Sequence, residues 1–151
     1  AEACIAEGLV LSTGGTDNHL MLIDMRPLGL TGKQGAAVLR ACGITLNSNS
    51  LPYDPQGPLI TSGLRIGAPA VTTLGMGADE MREIARIIRF TLSQTRPGIV
   101  ESGPNAGKPS KLKYIIDDAA LAEARSAIET LLKRFPVYPQ LDLAFLQEHF
   151  A

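Results

Sequence analysis

The sequence has little of what several protein classes require. Its 151 residues include two cysteines, no tryptophan and 5% aromatic residues, and no apolar run reaches the roughly 18–20 residues that cross a bilayer. Cys4 and Cys42 are too few for a disulfide scaffold and lack the spacing of metal ligands, so we expect two buried thiols in a reducing cytoplasm and no metal site. A net charge of −1 provides no basic field for nucleic acid and no cationic face for a membrane. We therefore expect neither among the partners.

The rest of the composition is typical of one globular domain. Apolar residues make up 45% of the chain and charged residues 19%, and this length can bury a core of its own. The first residue is not Met, and residues 1–8 resemble the last turns of a helix that ends at Gly8. They have neither the basic start nor the long apolar centre of a signal peptide. These features predict a fragment of a longer protein, although a processed intact protein would begin in the same way.

Hydrophobic patterning in the first half predicts strands around one helix. Apolar runs at 9–12 and 19–25 are joined by a turn rich in Gly, Asp and Asn, which predicts a chain reversal. The second run is apolar on both faces, so we expect a strand covered by helices. Thr31 and Gln34 have the spacing of a capping box at the start of a helix that ends at Gly43.

The patterns that follow predict further elements and two loops. Short strands are expected at 44–46 and 63–67, and long amphipathic helices at 78–95 and 118–135. Several segments have weaker signals: a Pro-rich loop at 47–59 that is neither helix nor central strand, a short turn or helix from Pro69, a polar linker at 96–116 and a last short helix at 141–150. Strands and helices alternate without a repeating parallel unit. The expected fold is therefore α/β, a two-layer sandwich of a small sheet with helices packed on it.

Two side chains have the chemistry of ligand binding. Arg65 lies between Leu64 and Ile66 in the predicted strand, so alternation turns its guanidinium away from both apolar neighbours. A guanidinium is a planar fork of donors that matches a carboxylate. Asn49 offers an amide that suits the edge of a heterocycle. From these residues alone, Arg65 could equally face solvent or pair with an acid, and Asn49 could be a turn residue.

Other polar segments give weaker signals. Residues 103–110 resemble a phosphate-binding loop, but they have three residues between the glycines where four are required, so a flexible linker is the better interpretation. The turn at 14–19 could cradle an anion with backbone N–H groups or simply reverse the chain. His19 could be catalytic, but a packed, hydrogen-bonded histidine at the start of a strand is the more common case.

Three blocks of sequence carry a family resemblance. Residues 13–26, 43–52 and 62–73 closely resemble, in order and separation, the C-terminal region of serine hydroxymethyltransferases. The resemblance covers residues 8–95 well, and Phe135-Pro-Val-Tyr138 resembles the closing segment of the family. Two alternatives are the small domain of another pyridoxal phosphate enzyme, such as an aminotransferase, and a free-standing α/β module that binds a small ligand.

The resemblance implies a fold, a reaction and two site residues. The fold is the small domain of aspartate-aminotransferase-like (fold type I) enzymes, and the reaction interconverts serine and glycine with transfer of the hydroxymethyl carbon to tetrahydrofolate. Arg65 corresponds to the arginine that binds the substrate carboxylate, and Asn49 to the asparagine that contacts the folate pteridine. The resemblance also implies a cytoplasmic homodimer in which an N-terminal large domain, missing here, binds pyridoxal phosphate.

Two departures from the family pattern affect this expectation. The lysine that forms the Schiff base with the cofactor is absent, so the chain has no catalytic residue of its own and we expect it to be inactive alone. Leu74 occupies a position where many members have arginine, which puts a charged contact there in doubt.

Overall fold

A four-stranded antiparallel sheet forms one layer of the fold. In a computed structural model, which describes residues 1–141 and 143–150, the four strands are β1 Val10–Leu11, β2 Leu20–Asp24, β3 Asn47–Asn49 and β4 Gly63–Gly67. Their spatial order is β1-β2-β4-β3, and every pair is antiparallel. Strand β4 is therefore central, and β3 is an edge strand. The predicted reversal between the first two apolar runs is confirmed.

Helices form the second layer and the periphery. They are α1 Glu2–Ala6, α2 Gly32–Ala41, α3 Pro69–Thr73, α4 Ala78–Ser93, α5 Asp118–Arg134 and α6 Leu143–Phe150, with a 3₁₀ helix at Arg26–Leu28. The capping box of α2 is confirmed, because Thr31 Oγ1 accepts from the Gln34 amide and Gln34 Oε1 accepts from the Thr31 amide. No helix within the described residues is long and apolar enough to cross a bilayer.

The main core lies between the sheet and the helices α1, α2 and α4. Its fully buried side chains include Ile23 and Leu64 from the sheet, Leu39 from α2 and Ile88 from α4. A smaller cluster around Cys42 and Ile128 packs α5 against α4. The predicted α/β architecture, a small sheet with helices packed on it, is confirmed. Both thiols are buried, and burial raises the pKa of each above its ordinary value.

The strand predicted at 44–46 is found three residues later, at Asn47–Asn49. The Ile44 amide donates to the Leu39 carbonyl at 2.9 Å, which closes the end of α2, and Leu46 is buried in the core. Pairing with β4 begins only at Asn47. Leu46 is buried and Ile44 is half-buried, but the backbone of residues 44–46 belongs to a connection and not to a strand. The Pro-rich segment starts as an edge strand and becomes a loop after Asn49.

The prediction of a polar linker at 96–116 is wrong, because this segment contains two strands. Strands β5 Thr95–Ile99 and β6 Pro109–Ile116 form an antiparallel hairpin. Residues 103–110, expected as a flexible linker, form most of the tip of this hairpin and the start of β6. Tyr114 and Ile116 are half-buried against the main core, whereas the intervening Ile115 is exposed. The alternation is real but short, and the Lys, Ser and Gly residues around it obscured the signal.

One buried amide ties this hairpin to the rest of the fold. Gln34 is fully buried, and its Nε2 donates to the carbonyls of Ser110 at 2.7 Å and Lys113 at 2.8 Å. Thr31 adds a hydrogen bond from Oγ1 to the Lys111 carbonyl at 2.8 Å. The capping residues of α2 therefore also fix the position of β6.

We predict that Gln34→Ala destabilises the protein by about 2–4 kcal/mol, because it removes half of the capping box and leaves two carbonyls without a donor. The measurement is the free energy of unfolding in urea. Gln94→Ala, at an exposed position at the end of α4, is the control and should change that free energy by less than about 0.5 kcal/mol. Equal effects of the two substitutions would contradict the anchoring role of Gln34.

Candidate functional site

The alternation of β4 places one cation outside the core. Leu64 is fully buried, and the next residue, Arg65, is exposed on the opposite face of the sheet. Leu22 on β2 and Asn47 on β3 are its cross-strand partners. Within residues 1–141 and 143–150, no carboxylate forms an ion pair with Arg65. Its fork of donors is therefore available to a ligand.

Arg65 lines a cleft of about 330 Å³ at the edge of the sheet. The other residues that line the cleft come from β2, β3, β4 and their flanking segments: His19, Leu20, Thr45, Leu46, Asn47, Ile66 and Gly67. The cleft adjoins a second, largely apolar cavity of about 380 Å³ that reaches α4 and α5. The two cavities share residues of β2 and β4, but Arg65 lines the first and not the second.

Asn49 lies on the same face of the sheet as Arg65. It pairs with Gly63, two residues before Arg65 on β4, so the two side chains are diagonal neighbours, roughly 7–8 Å apart at Cα. Asn49 is half-buried, and its Nδ2 donates to the Ser50 carbonyl at 2.7 Å. It does not line the cleft itself. The structure therefore brings the two predicted site residues to one face, with Arg65 in the cleft and Asn49 beside it.

Asn47 is a candidate that the sequence reasoning missed. It is exposed, lies directly opposite Arg65 and lines the same cleft. Its amide can donate to an anion held by the guanidinium. Side chains two residues apart on a strand share a face, so Asn47 would have been grouped with Asn49. This rule could not be applied because no strand was predicted at 47–49.

The glycine-rich turn before β2 satisfies its own polar groups. Thr16 Oγ1 donates to the Leu20 carbonyl at 2.6 Å, and Asn18 Oδ1 accepts from the Leu20 amide at 2.9 Å. These contacts favour the interpretation as a chain reversal over that as an anion cradle. His19 is exposed at the edge of the cleft, and its carbonyl accepts from the Ala68 amide. Leu74, at the end of α3, is half-buried and brings no charge to the site.

The loop between Asn49 and Arg65 is organised around one carboxylate. Asp54 accepts hydrogen bonds from the amides of Leu51, Gln56 and Ser62 and from the Ser62 hydroxyl. Burial alone would raise the pKa of Asp54, but these hydrogen bonds to its ionised form outweigh burial and lower the pKa to about 2. The loop is therefore built on an ionised side chain.

No lysine lines either cavity. Lys111 Nζ donates to Gln56 Oε1 at 3.0 Å, and Lys113 pairs with Glu101 at 2.9 Å. Across the described part of the chain, no group of three His, Cys, Asp or Glu residues could hold a metal ion. These residues do not fit pyridoxal phosphate, because no amine faces the Arg65 cleft to bind its aldehyde.

The fold and cleft define an α/β domain that presents an arginine and two asparagines from one sheet face. A family model described as serine hydroxymethyltransferase matches residues 1–88, which is more than half of the chain. The chain belongs to the serine hydroxymethyltransferase family. This membership agrees with the predicted small domain of a fold type I enzyme.

Individual relatives are similar over nearly the whole chain. Serine hydroxymethyltransferase of Treponema pallidum (strain Nichols) is 49% identical over 150 residues, 99% of this chain and 25% of the relative. The enzymes of Chlamydia pneumoniae and Cutibacterium acnes are 47% and 45% identical, over 97% and 95% of this chain and 29% of each relative. The chain thus spans between a quarter and a third of the length of these relatives.

Glycine at position 63 allows β3 to approach β4 closely at Asn49. A Cβ added there would be 2.6 Å from Leu51 Cδ2 and 2.8 Å from the Asn49 carbonyl oxygen. We predict that Gly63→Ala destabilises the protein by about 1–3 kcal/mol, because the backbone of β3 must move away. Thermal unfolding would measure this. Gly15→Ala, where an added Cβ meets nothing within 4 Å, is the control, and an equal loss in both variants would contradict the prediction.

Proposed function

We propose that in a full-length transferase this chain binds the carboxylate of serine and glycine through Arg65 and contributes Asn49 to the tetrahydrofolate site. The enzyme would interconvert serine and glycine and transfer the hydroxymethyl carbon to tetrahydrofolate. The observation that carries this proposal is the position of the Arg65 guanidinium, which is exposed on a central strand and lines a cleft. Among the described residues, no carboxylate forms an ion pair with it. Family membership supports the reaction.

Arg65 can orient an amino acid as well as attract it. Two parallel N–H donors of one guanidinium bind both carboxylate oxygens, which restricts rotation of the ligand more than a Lys ammonium would. The Asn47 amide, directly across the strand pair, can donate a third hydrogen bond. Fixing the carboxylate fixes the bonds at the neighbouring carbon, and such orientation contributes strongly to rate.

The Arg65 cleft is not the proposed binding site of the cofactor. Since no lysine lines the cleft, we propose that pyridoxal phosphate is held by residues outside these 151, in a large domain, and that the chain alone is inactive. A homodimer in the cytoplasm is part of the same proposal. Family membership favours the hydroxymethyltransferase proposal over the small domain of an aminotransferase-like enzyme and over a free-standing ligand-binding module. Folate binding by the full-length protein distinguishes the three.

We predict that Arg65→Ala in the full-length transferase lowers kcat/KM for serine by about 10²-fold or more, because two charge-assisted hydrogen bonds to the carboxylate are lost. Steady-state kinetics with serine varied would measure this, and circular dichroism would check folding. Arg86→Ala removes an exposed arginine from α4 and should leave the kinetics unchanged. Near-normal serine kinetics in folded Arg65→Ala would refute the assignment.

Asn49→Ala should act on the other substrate. We predict an affinity for tetrahydrofolate about 10-fold weaker, the cost of one or two hydrogen bonds to a heterocycle, with an unchanged KM for serine. Titration of the folate, monitored by fluorescence or calorimetry, would measure this. Asn105→Ala, at the exposed tip of the hairpin, is the control. A simultaneous loss of serine binding would indicate that the loop has collapsed.

A further inference from the structure

The loop at 50–62, which joins the two strands of the site, is closed by a single side chain. Asp54 Oδ2 accepts from the Leu51 amide at 3.0 Å, near the start of the loop, and from the Ser62 amide at 2.8 Å, at its end. Asp54 Oδ1 accepts from the Gln56 amide at 2.9 Å and from Ser62 Oγ at 2.6 Å. The carboxylate therefore holds both ends of the loop together.

The backbone conformation of this loop requires such a restraint. Tyr53 and Thr61 have φ angles of +54° and +57°, a left-handed region that non-glycine residues rarely adopt and that is least favourable for a β-branched side chain. The Thr61 hydroxyl is also buried without a hydrogen-bond partner. Residues in such conformations cost of order 1–3 kcal/mol each and persist only where the surroundings impose them. The hydrogen bonds of Asp54 lie directly beside both residues.

The two ends of the loop lead directly into the site. Leu51 follows Asn49 by two residues, and Ser62 precedes Arg65 by three. Ser62 is itself fixed to the core, because its carbonyl accepts from the amide of the fully buried Met25 at 2.9 Å. A change at Asp54 would thus alter the start of β4 and the end of β3 together.

Hydrogen bonds, and no ion pair among the described residues, hold the Asp54 carboxylate. The nearby Arg26 guanidinium is engaged by Asp24, with Nη2 to Oδ2 at 2.6 Å. All four hydrogen bonds require an acceptor. Asparagine at position 54 would turn an NH₂ group toward at least one N–H donor, so it cannot reproduce the arrangement.

We propose that Asp54 is a positioning residue that sets the Arg65 and Asn49 side chains relative to each other. The inference rests on the proposed function of those two residues. Asp54 itself does not line the Arg65 cleft. It holds the register of β3 against β4, so that serine and tetrahydrofolate meet a site of fixed geometry.

The test is Asp54→Asn in the full-length transferase, with KM for serine and for tetrahydrofolate measured separately from kcat. Both KM values should rise roughly 10-fold, since a displacement of about 1 Å at a binding group can cost up to 10²-fold. The kcat at saturation should fall less than either KM rises. Asp118→Asn, an exposed carboxylate at the start of α5, is the matched control and should change neither constant.

The pattern across variants separates this proposal from the proposed function. Arg65→Ala should affect serine alone and Asn49→Ala the folate alone, whereas Asp54→Asn should affect both. If Arg65→Ala and Asn49→Ala behave as expected but Asp54→Asn only lowers the melting temperature, the positioning role is overturned and the proposed function stands. If Arg65→Ala leaves serine kinetics unchanged, the proposed function itself fails.

A milder variant keeps the test decisive if Asp54→Asn does not fold. Ser62→Ala removes one of the four donors and leaves the carboxylate with its three amides. Both KM values should then rise about two- to threefold, and Ser62→Thr, which retains the hydroxyl, should restore them. Unchanged constants in Ser62→Ala would overturn the proposal.

Discussion

The pairing of β4 between β2 and β3 is the constraint on which the fold and the site both depend. It places Leu64 in the core opposite Ile23, and the neighbouring Arg65 on the other face opposite Asn47. A slip of one residue would exchange these faces, burying a guanidinium and exposing a leucine. Stability therefore selects the same register that presents Arg65 to the cleft, so the register needed by the site is also the one that the core favours.

The site combines this rigid strand with an edge that the core holds less firmly. Strand β3 has only three residues and a free outer side, so apolar packing fixes Asn47 and Asn49 less tightly than it fixes Leu64. Two further restraints act on this edge: the close packing of β3 against Gly63, which leaves no room for a Cβ, and the hydrogen bonds of Asp54. Binding groups on strands are better ordered than groups on loops, and here a loop carboxylate supports the strand.

Local signals predicted most of the fold, and long-range contacts account for what they missed. The capping box at Thr31, the apolar spacing of α4 and α5 and the glycine-bounded strand at 63–67 are each visible within a few residues of sequence. The β5–β6 hairpin is not, because its position depends on Gln34, 76 residues from Ser110. Arg65 and Asn49 were identified through the family resemblance. Asn47 could not be identified without knowing that a strand begins at residue 47. The role of Asp54 depends on its hydrogen bond to Ser62, eight residues away, which no local pattern indicates.

The exposure of Arg65 has a consequence for how the proposed site must be completed. An ion pair in open water contributes about 0–1 kcal/mol, too little to hold and orient an amino acid, whereas the same pair with water excluded is several times stronger. Within the described residues, Arg65 is exposed and does not line the apolar cavity beside its cleft. A carboxylate site of useful strength therefore requires further protein surface over Arg65, and the relatives, three to four times longer than this chain, have the length to provide it.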